Sequence, residues 1–186
     1  MIQIKNAAEL QKMRKACAIS AAALKAGGEA IEPGITTAEI DKIIYDFIVR
    51  HGARPNFLHL YGFPATACIS VNDTVIHGIP NKQQQIRPGD IVSIDTGCKI
   101  DGFNGDNACT YACGKIDLEA QRLLDVTKES LHRGIEMACG GNRVGDIGHA
   151  VQSYVEENGF SVVRTFVGHG VGKELHEDPE VPNFGN

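Results

Sequence analysis

Apolar residues recur at helical spacing near the start of the chain. Leu10, Met13, Cys17, Ala21 and Leu24 fall on one helical face, and Asn6 with Glu9 supplies an N-cap and its N3 partner. Gly27-Gly28 is expected to end this helix. Pro33-Gly34 reads as a turn, and Thr36 with Glu39 forms a second capping box. Ile40, Ile43, Ile44, Phe47 and Ile48 are the apolar stripe of a second helix, closed by Gly52.

The period then changes. Residues 54–64 read as a loop with aromatics, and residues 66–71 and 74–77 as short strands around Asn72-Asp73. Arg87-Pro88-Gly89-Asp90 is a turn, residues 91–100 are a long strand, and Asp101-Gly102 signals a hairpin. The return strand is expected near residues 106–112. The helical pattern then restarts. A helix from about residue 118 to 137 turns Leu124, Leu131 and Ile135 inward, and another from about 144 to 157 does the same with Ile147, Val151 and Tyr154. Asn158-Gly159 ends it, and residues 160–166 read as a strand. The order helix, helix, strands therefore occurs twice. The chain is expected to be one α+β domain of two related halves, about residues 1–112 and 113–186, the second lacking its closing hairpin.

Composition narrows the class. The chain has 186 residues, 42% hydrophobic and 22% charged, enough for a real core. A net charge of −5 argues against nucleic-acid readout, which needs a basic face. No apolar run approaches the roughly 20 residues of a membrane span. The segment from Met1 to Asn6 has no signal-peptide core, so a cytoplasmic monomer away from membranes is expected. None of the six cysteines forms a Cys-x-x-Cys pair, which argues against a zinc knuckle and for reduced thiols.

Three groups of residues carry candidate chemistry. Asp95 and Asp106 flank the Asp101-Gly102 turn. If residue 100 pairs with 103, then 95 lies opposite 108, and the two carboxylates are diagonal neighbours on one sheet face, roughly 7–8 Å apart at Cα. Two acids on one face repel unless a cation sits between them, and a divalent metal pair is the natural solution. A bulge at Asn104-Gly105 would change that register, and solvent-facing strand ends are the plain alternative. His169 and His176 stand in Gly168-His169-Gly170-Val171-Gly172-Lys173-Glu174-Leu175-His176, where glycines let the backbone approach a ligand. The segment is neither a zincin helix nor a phosphate loop, and a polar turn is its plain alternative. His77 lies between an apolar stretch and Gly78-Ile79-Pro80, where it could simply cap a strand.

Taken in order, these segments resemble the type I methionine aminopeptidases. The matching blocks are Ser70-Val71-Asn72, Val75-Ile76-His77-Gly78-Ile79-Pro80, Ile94-Asp95-Thr96-Gly97, Asp101-Gly102-Phe103-Asn104-Gly105-Asp106, Gly168-His169-Gly170-Val171-Gly172, and Leu175-His176-Glu177-Asp178-Pro179 through Gly185. Their order and spacing agree along essentially all 186 residues. The resemblance implies the pita-bread (creatinase/aminopeptidase-like) fold, with two pseudo-symmetric halves around two divalent metal ions (Mn, Fe, Co or Zn). It implies that Asp95 binds one metal, Asp106 bridges both and His169 binds the other. It also implies removal of the N-terminal methionine from nascent polypeptides, near the ribosome, by a metal-activated hydroxide, formed from a water whose pKa falls from about 15.7 toward 7. His176 would stabilise the oxyanion and His77 would hold the substrate amide. Phe57, Leu60, Phe63, Cys68 and Leu175 match the methionine pocket.

One departure is visible. The family carries two further glutamate ligands well downstream of Pro182-Asn183-Phe184-Gly185, and this sequence ends at Asn186. A chain truncated there would share three metal-binding residues instead of five, so weak metal binding and poor activity are expected. Two other classes compete: a pseudo-enzyme kept as a peptide- or ribosome-binding module, and a proline-specific aminopeptidase or creatinase. Retention of Asp95, Asp106, His169, His77 and His176 argues against the first, and the His-Gly-Ile-Pro block against the second.

Overall fold

The computed structural model describes residues 1–185, which group into two units. The larger contains Ile4–Ile116 and Val171–Leu175, and the smaller contains Met1–Gln3, Asp117–Gly170 and the residues from His176 on.

In the larger unit, helices α1 (Ala7–Glu29) and α2 (Thr37–Arg50) begin at the two capping boxes, with Asn6 and Thr36 each accepting from the N3 backbone. The buried line of α1 differs from the expected stripe. It is Ala16, Ser20, Ala23, Leu24, Gly27 and Gly28, whereas Leu10, Cys17 and Ala21 are exposed. Gly27 and Gly28 lie inside the helix rather than ending it. Closeness to the sheet explains both corrections. A Cβ on Gly28 would lie 2.1 Å from the Tyr111 ring, and one on Gly105 would lie 2.6 Å from the backbone of Ala16. The face that docks is the one with the smallest side chains. α2 follows the ordinary rule, with Ile40, Ile44 and Ile48 fully buried.

The sheet of this unit is centred on β3 (Ile91–Ile100). β4 (Phe103–Ala112) pairs with it along its full length on one side. β1 (Arg54–Pro55) and β2 (Ala67–Val71) pair with it on the other. Asp101 and Gly102 both have positive φ, 52° and 82°, as a two-residue type I′ hairpin requires. Asn104 and Gly105 pair regularly with Lys99 and Cys98, so no bulge interrupts the register. One sheet face presents Val92, Ile94, Thr96 and Cys98, all fully buried in the core. The other presents Ser93, Asp95, Gly97 and Lys99 with their β4 partners Thr110, Ala108, Asp106 and Asn104.

Residues 74–77 form no strand. His77 has φ 56°, and the segment is held instead by Gly78, whose carbonyl accepts from Ile69 N at 2.8 Å. This tie and a turn bond from Thr74 N to Val71 O at 3.2 Å stand in place of a ladder.

In the smaller unit, α3 (Leu118–Met137) and α4 (Val144–Glu157) pack on each other, and β5 (Gly168–Gly170) pairs with β6 (Glu177–Val181). The α3 face is another correction. Val126, Ser130 and Gly134 are buried, Leu124 is half-buried, and Leu131 and Ile135 are each 58% exposed. The cause is again a close crossing, since a Cβ on Gly134 would lie 2.9 Å from Val151 Cγ2. Residues 160–166 form no strand either. The carbonyls of Val163 and Phe166 accept from the Asn183 side chain, not from a neighbouring strand.

Candidate functional site

The hairpin places the two carboxylates. Asp95 pairs with Ala108 and Gly97 with Asp106, so Asp95 and Asp106 are diagonal neighbours on one face of the sheet. β2 adds Cys68 opposite Asp95 and Ser70 opposite Ser93 on that same face. Ser93 and Thr110 bond hydroxyl to hydroxyl at 2.8 Å just beyond the acids. One oxygen of Asp106, Oδ1, is shut off from solvent. The effect of this surface on Cys68 is large. Burial, and then the negative charges of Asp95 and Asp106, push its thiol up to about 12. The thiol is therefore neutral at any physiological pH.

His77 lies at the end of the segment that Gly78 ties to β2. Gly78 N also donates to Ser70 Oγ at 3.1 Å, and a Cβ there would lie 2.2 Å from Ile69 O. The glycine in the His-Gly-Ile-Pro block is thus required for close approach to the strand. Of the five residues expected to receive methionine, Leu60 and Leu175 share a groove of about 540 Å³ that Tyr45, Val49 and Leu58 also line. Phe57, Phe63 and Cys68 are not part of its lining.

In the smaller unit, His169 lies on β5 and His176 directly precedes β6. Their rings meet edge to face, with centroids 4.4 Å apart. His169 Nδ1 lies 2.9 Å from Gly170 O. A carbonyl only accepts, so Nδ1 is the donor in this contact, and Nε2 is the ring nitrogen that a metal would take. A Cβ on Gly170 would lie 2.5 Å from Asp178 O, which explains the glycine beside this histidine.

The residues between the two histidines, Val171–Leu175, belong to the larger unit. Asn104 holds them there. Its backbone N and its Nδ2 both donate to Gly172 O at 2.8 Å, and Nδ2 also reaches Lys173 O at 2.9 Å. Lys99 donates to Lys173 O at 2.5 Å. Asn104 reads in the sequence only as a residue after a turn. Its 2% exposure is the signal that marks it as an anchor, and burial is not written in the local sequence.

Comparisons with known proteins identify the family and the fold. The model of metallopeptidase family M24 matches residues 11–186. The chain belongs to that family. It is similar to the methionine aminopeptidase of Clostridium perfringens, at 54% identity over 100% of this chain and 74% of the relative. Methionine aminopeptidase 1 of Bacillus subtilis is 46% identical over the same shares. The crystal structure of the Thermotoga maritima methionine aminopeptidase superposes with a TM-score of 0.98 at 41% identity, over 100% of this chain and 75% of that one. The fold is thus the pita-bread fold of these enzymes, and the chain is a member of the methionine aminopeptidase group of metalloexopeptidases. It spans about three quarters of the length of the curated relatives it matches.

The family implies divalent metal cofactors. In neither unit, among the described residues, do three or more His, Cys, Asp or Glu side chains gather into a group that could hold a metal ion by itself. The donors within each unit nevertheless have the chemistry a divalent ion needs. In the larger unit two carboxylates share one sheet face and one of their oxygens is buried, and the smaller unit carries the His169 imidazole. Hard oxygen donors with an imidazole suit Mn, Fe, Co or Zn.

Proposed function

We propose that this chain carries the chemistry of a methionine aminopeptidase, removing the N-terminal methionine from nascent proteins and peptides. The diagonal pair Asp95 and Asp106 on one hairpin face is the observation that carries this reading, because two acids so placed call for a cation. Asp95, Asp106 and His169 would hold two divalent ions. Bound ions would supply Lewis acidity toward the scissile carbonyl and a water molecule.

The chain's own residues divide the remaining work. His176 would donate a hydrogen bond to the carbonyl oxygen as that oxygen gains negative charge. His77 would hold the amide that follows methionine, fixing the peptide for attack. Phe57, Leu60, Phe63, Cys68 and Leu175 would receive the thioether side chain. The suppressed ionisation of Cys68 supports its place there, since a neutral thiol behaves as a small apolar group. Nascent chains as substrates fit a monomer working in the cytoplasm near the ribosome, away from membranes. No helix among the described residues is long and apolar enough to cross a membrane.

The test is release of free methionine from a Met-Gly-Met tripeptide in the presence of manganese or cobalt. The same peptide with an acetylated N-terminus should be untouched, and His176→Ala should slow release by roughly 10²–10³-fold. Equal cleavage of the acetylated peptide would show that the free amine is not recognised and would overturn the exopeptidase assignment.

A further inference from the structure

Asn56 has a role that the catalytic scheme above leaves unassigned. Its backbone N donates to Gly97 O at 3.0 Å, which fastens the residue beside β3. Its side-chain Nδ2 is shut off from solvent and has no hydrogen-bond partner among the described residues. Buried donors of this kind are rare in native interiors, because leaving one unmade costs the full desolvation of the group.

The surroundings identify what the amide serves. A Cβ on Gly97 would lie 2.8 Å from Gly105 O, 3.1 Å from Asn56 Nδ2 and 3.4 Å from Asp106 Oδ1. Two acceptors and one donor thus converge on the notch beside this glycine. The spacing is too tight for carbon but lies in the range of hydrogen bonds to an oxygen. The acceptors are a backbone carbonyl and a carboxylate, so the NH2 end of Asn56 must be the end that faces them. A water a little further out from Gly97 Cα would find the two to four polar partners that a buried water requires.

We propose that Asn56 is a positioning residue for Asp106. It donates through a single buried water in the Gly97 notch and thereby fixes the orientation of the Asp106 carboxylate. With one oxygen held from the interior, the other is presented from the sheet face. This role rests on Asp106 being a metal ligand of the proposed function, for which outer hydrogen-bond partners matter nearly as much as the ligands themselves. It also accounts for the pairing of a glycine at 97 with an asparagine at 56, since any side chain at 97 would fill the space through which Asn56 acts.

Two measurements test it on the 186-residue chain. The first is a double-mutant cycle of thermal unfolding without metal, combining Asn56→Leu with Asp106→Ala. Asn56→Leu alone should lower the melting temperature. The same change in the Asp106→Ala background should have little or no effect, because the carboxylate it serves is gone. An equal shift in both backgrounds would mean that Asn56 only packs, and would overturn the proposal. The second is manganese affinity by calorimetry. Asn56→Leu should weaken it by roughly 10–100-fold, while Asn56→Ser, which keeps a donor, retains most of it. Unchanged affinity in Asn56→Leu would likewise overturn the proposal. Should the unmutated chain bind no manganese at all, the metal reading fails, and the metal-free cycle still decides whether Asn56 acts through Asp106.

Discussion

At the scale of single residues, chemistry here is set by neighbours on the sheet. Cys68 is 5% exposed and faces Asp95, and its thiol is pushed up to about 12. Cys98 is pushed up to about 11, chiefly by burial. Cys17, Cys109 and Cys139 are exposed, and Cys113 is buried. Titration of the native chain at pH 8 with an aromatic disulfide should therefore find Cys109 and Cys139 reacting quickly, Cys17 more slowly because burial and the Asp106 charge push its thiol up, and the rest only after unfolding. Rapid modification of Cys68 in the native chain would contradict this. Asp41 offers a second case. It accepts from Thr66 N at 2.9 Å and Ala67 N at 2.8 Å, yet burial outweighs these bonds and raises its pKa. A carboxyl whose folded pKa is raised is favoured protonated. Its ionisation costs stability as pH rises through that folded pKa, and the cost is absent at lower pH. Asp41→Asn keeps an acceptor without the charge, so it should melt at or above the wild-type temperature at pH 7, with the advantage vanishing in acid. Asp41→Ala, which orphans both amides, should lose roughly 1–3 kcal/mol. The positions of Asp95 and Asp106 were legible in the sequence because the Asp101-Gly102 turn dictates the register. Asn56 and Asn104 were not, because their importance comes from burial produced by distant segments.

At the scale of elements, helix ends were legible and helix faces were not. Asn6 and Thr36 cap through bonds to residues three positions on, which local sequence contains in full. The buried face of α1 depends instead on how near the sheet comes, and that favours Ala, Ser and Gly over larger apolar residues. Gly105→Ala should accordingly cost roughly 1–3 kcal/mol, read as a fall in melting temperature, because its Cβ meets the backbone of α1 and not a flexible side chain. A change within a few tenths of a kcal/mol would mean that the helix stands further off than described. The same logic explains α3, where Ser130 and Gly134 are buried and Leu131 and Ile135 point outward. Replacing Leu131 and Ile135 together with Lys should leave the unfolding temperature of the 186-residue chain nearly unchanged. A large loss would show that these side chains are covered. The strands expected at residues 74–77 and 160–166 failed for a related reason. Apolar alternation supplies a strand only where a partner edge is available; here Thr74 N turns back to Val71 O and Gly78 ties the end of its segment to β2, while the carbonyls of Val163 and Phe166 accept from Asn183.

At the scale of the whole chain, each unit contributes separate chemistry. The larger presents two carboxylates on a rigid hairpin with His77 beside β2, and the smaller presents the edge-to-face pair His169 and His176. The helix patterns and the long hairpin made the α+β class legible, and the blocks around these residues made the family legible, and with it the pita-bread fold, as the match over residues 11–186 bears out. The assignment of Val171–Leu175 to the larger unit was beyond the sequence, because it depends on bonds from Asn104 and Lys99 some 70 positions away. The roles of the site residues are decided most directly by the cation dependence of methionine release. Release from Met-Gly-Met should stop on chelation, return with manganese or cobalt, and not return in Asp106→Asn. Release that persists under chelation, or that survives in Asp106→Asn, would contradict a metal site built on the hairpin carboxylates.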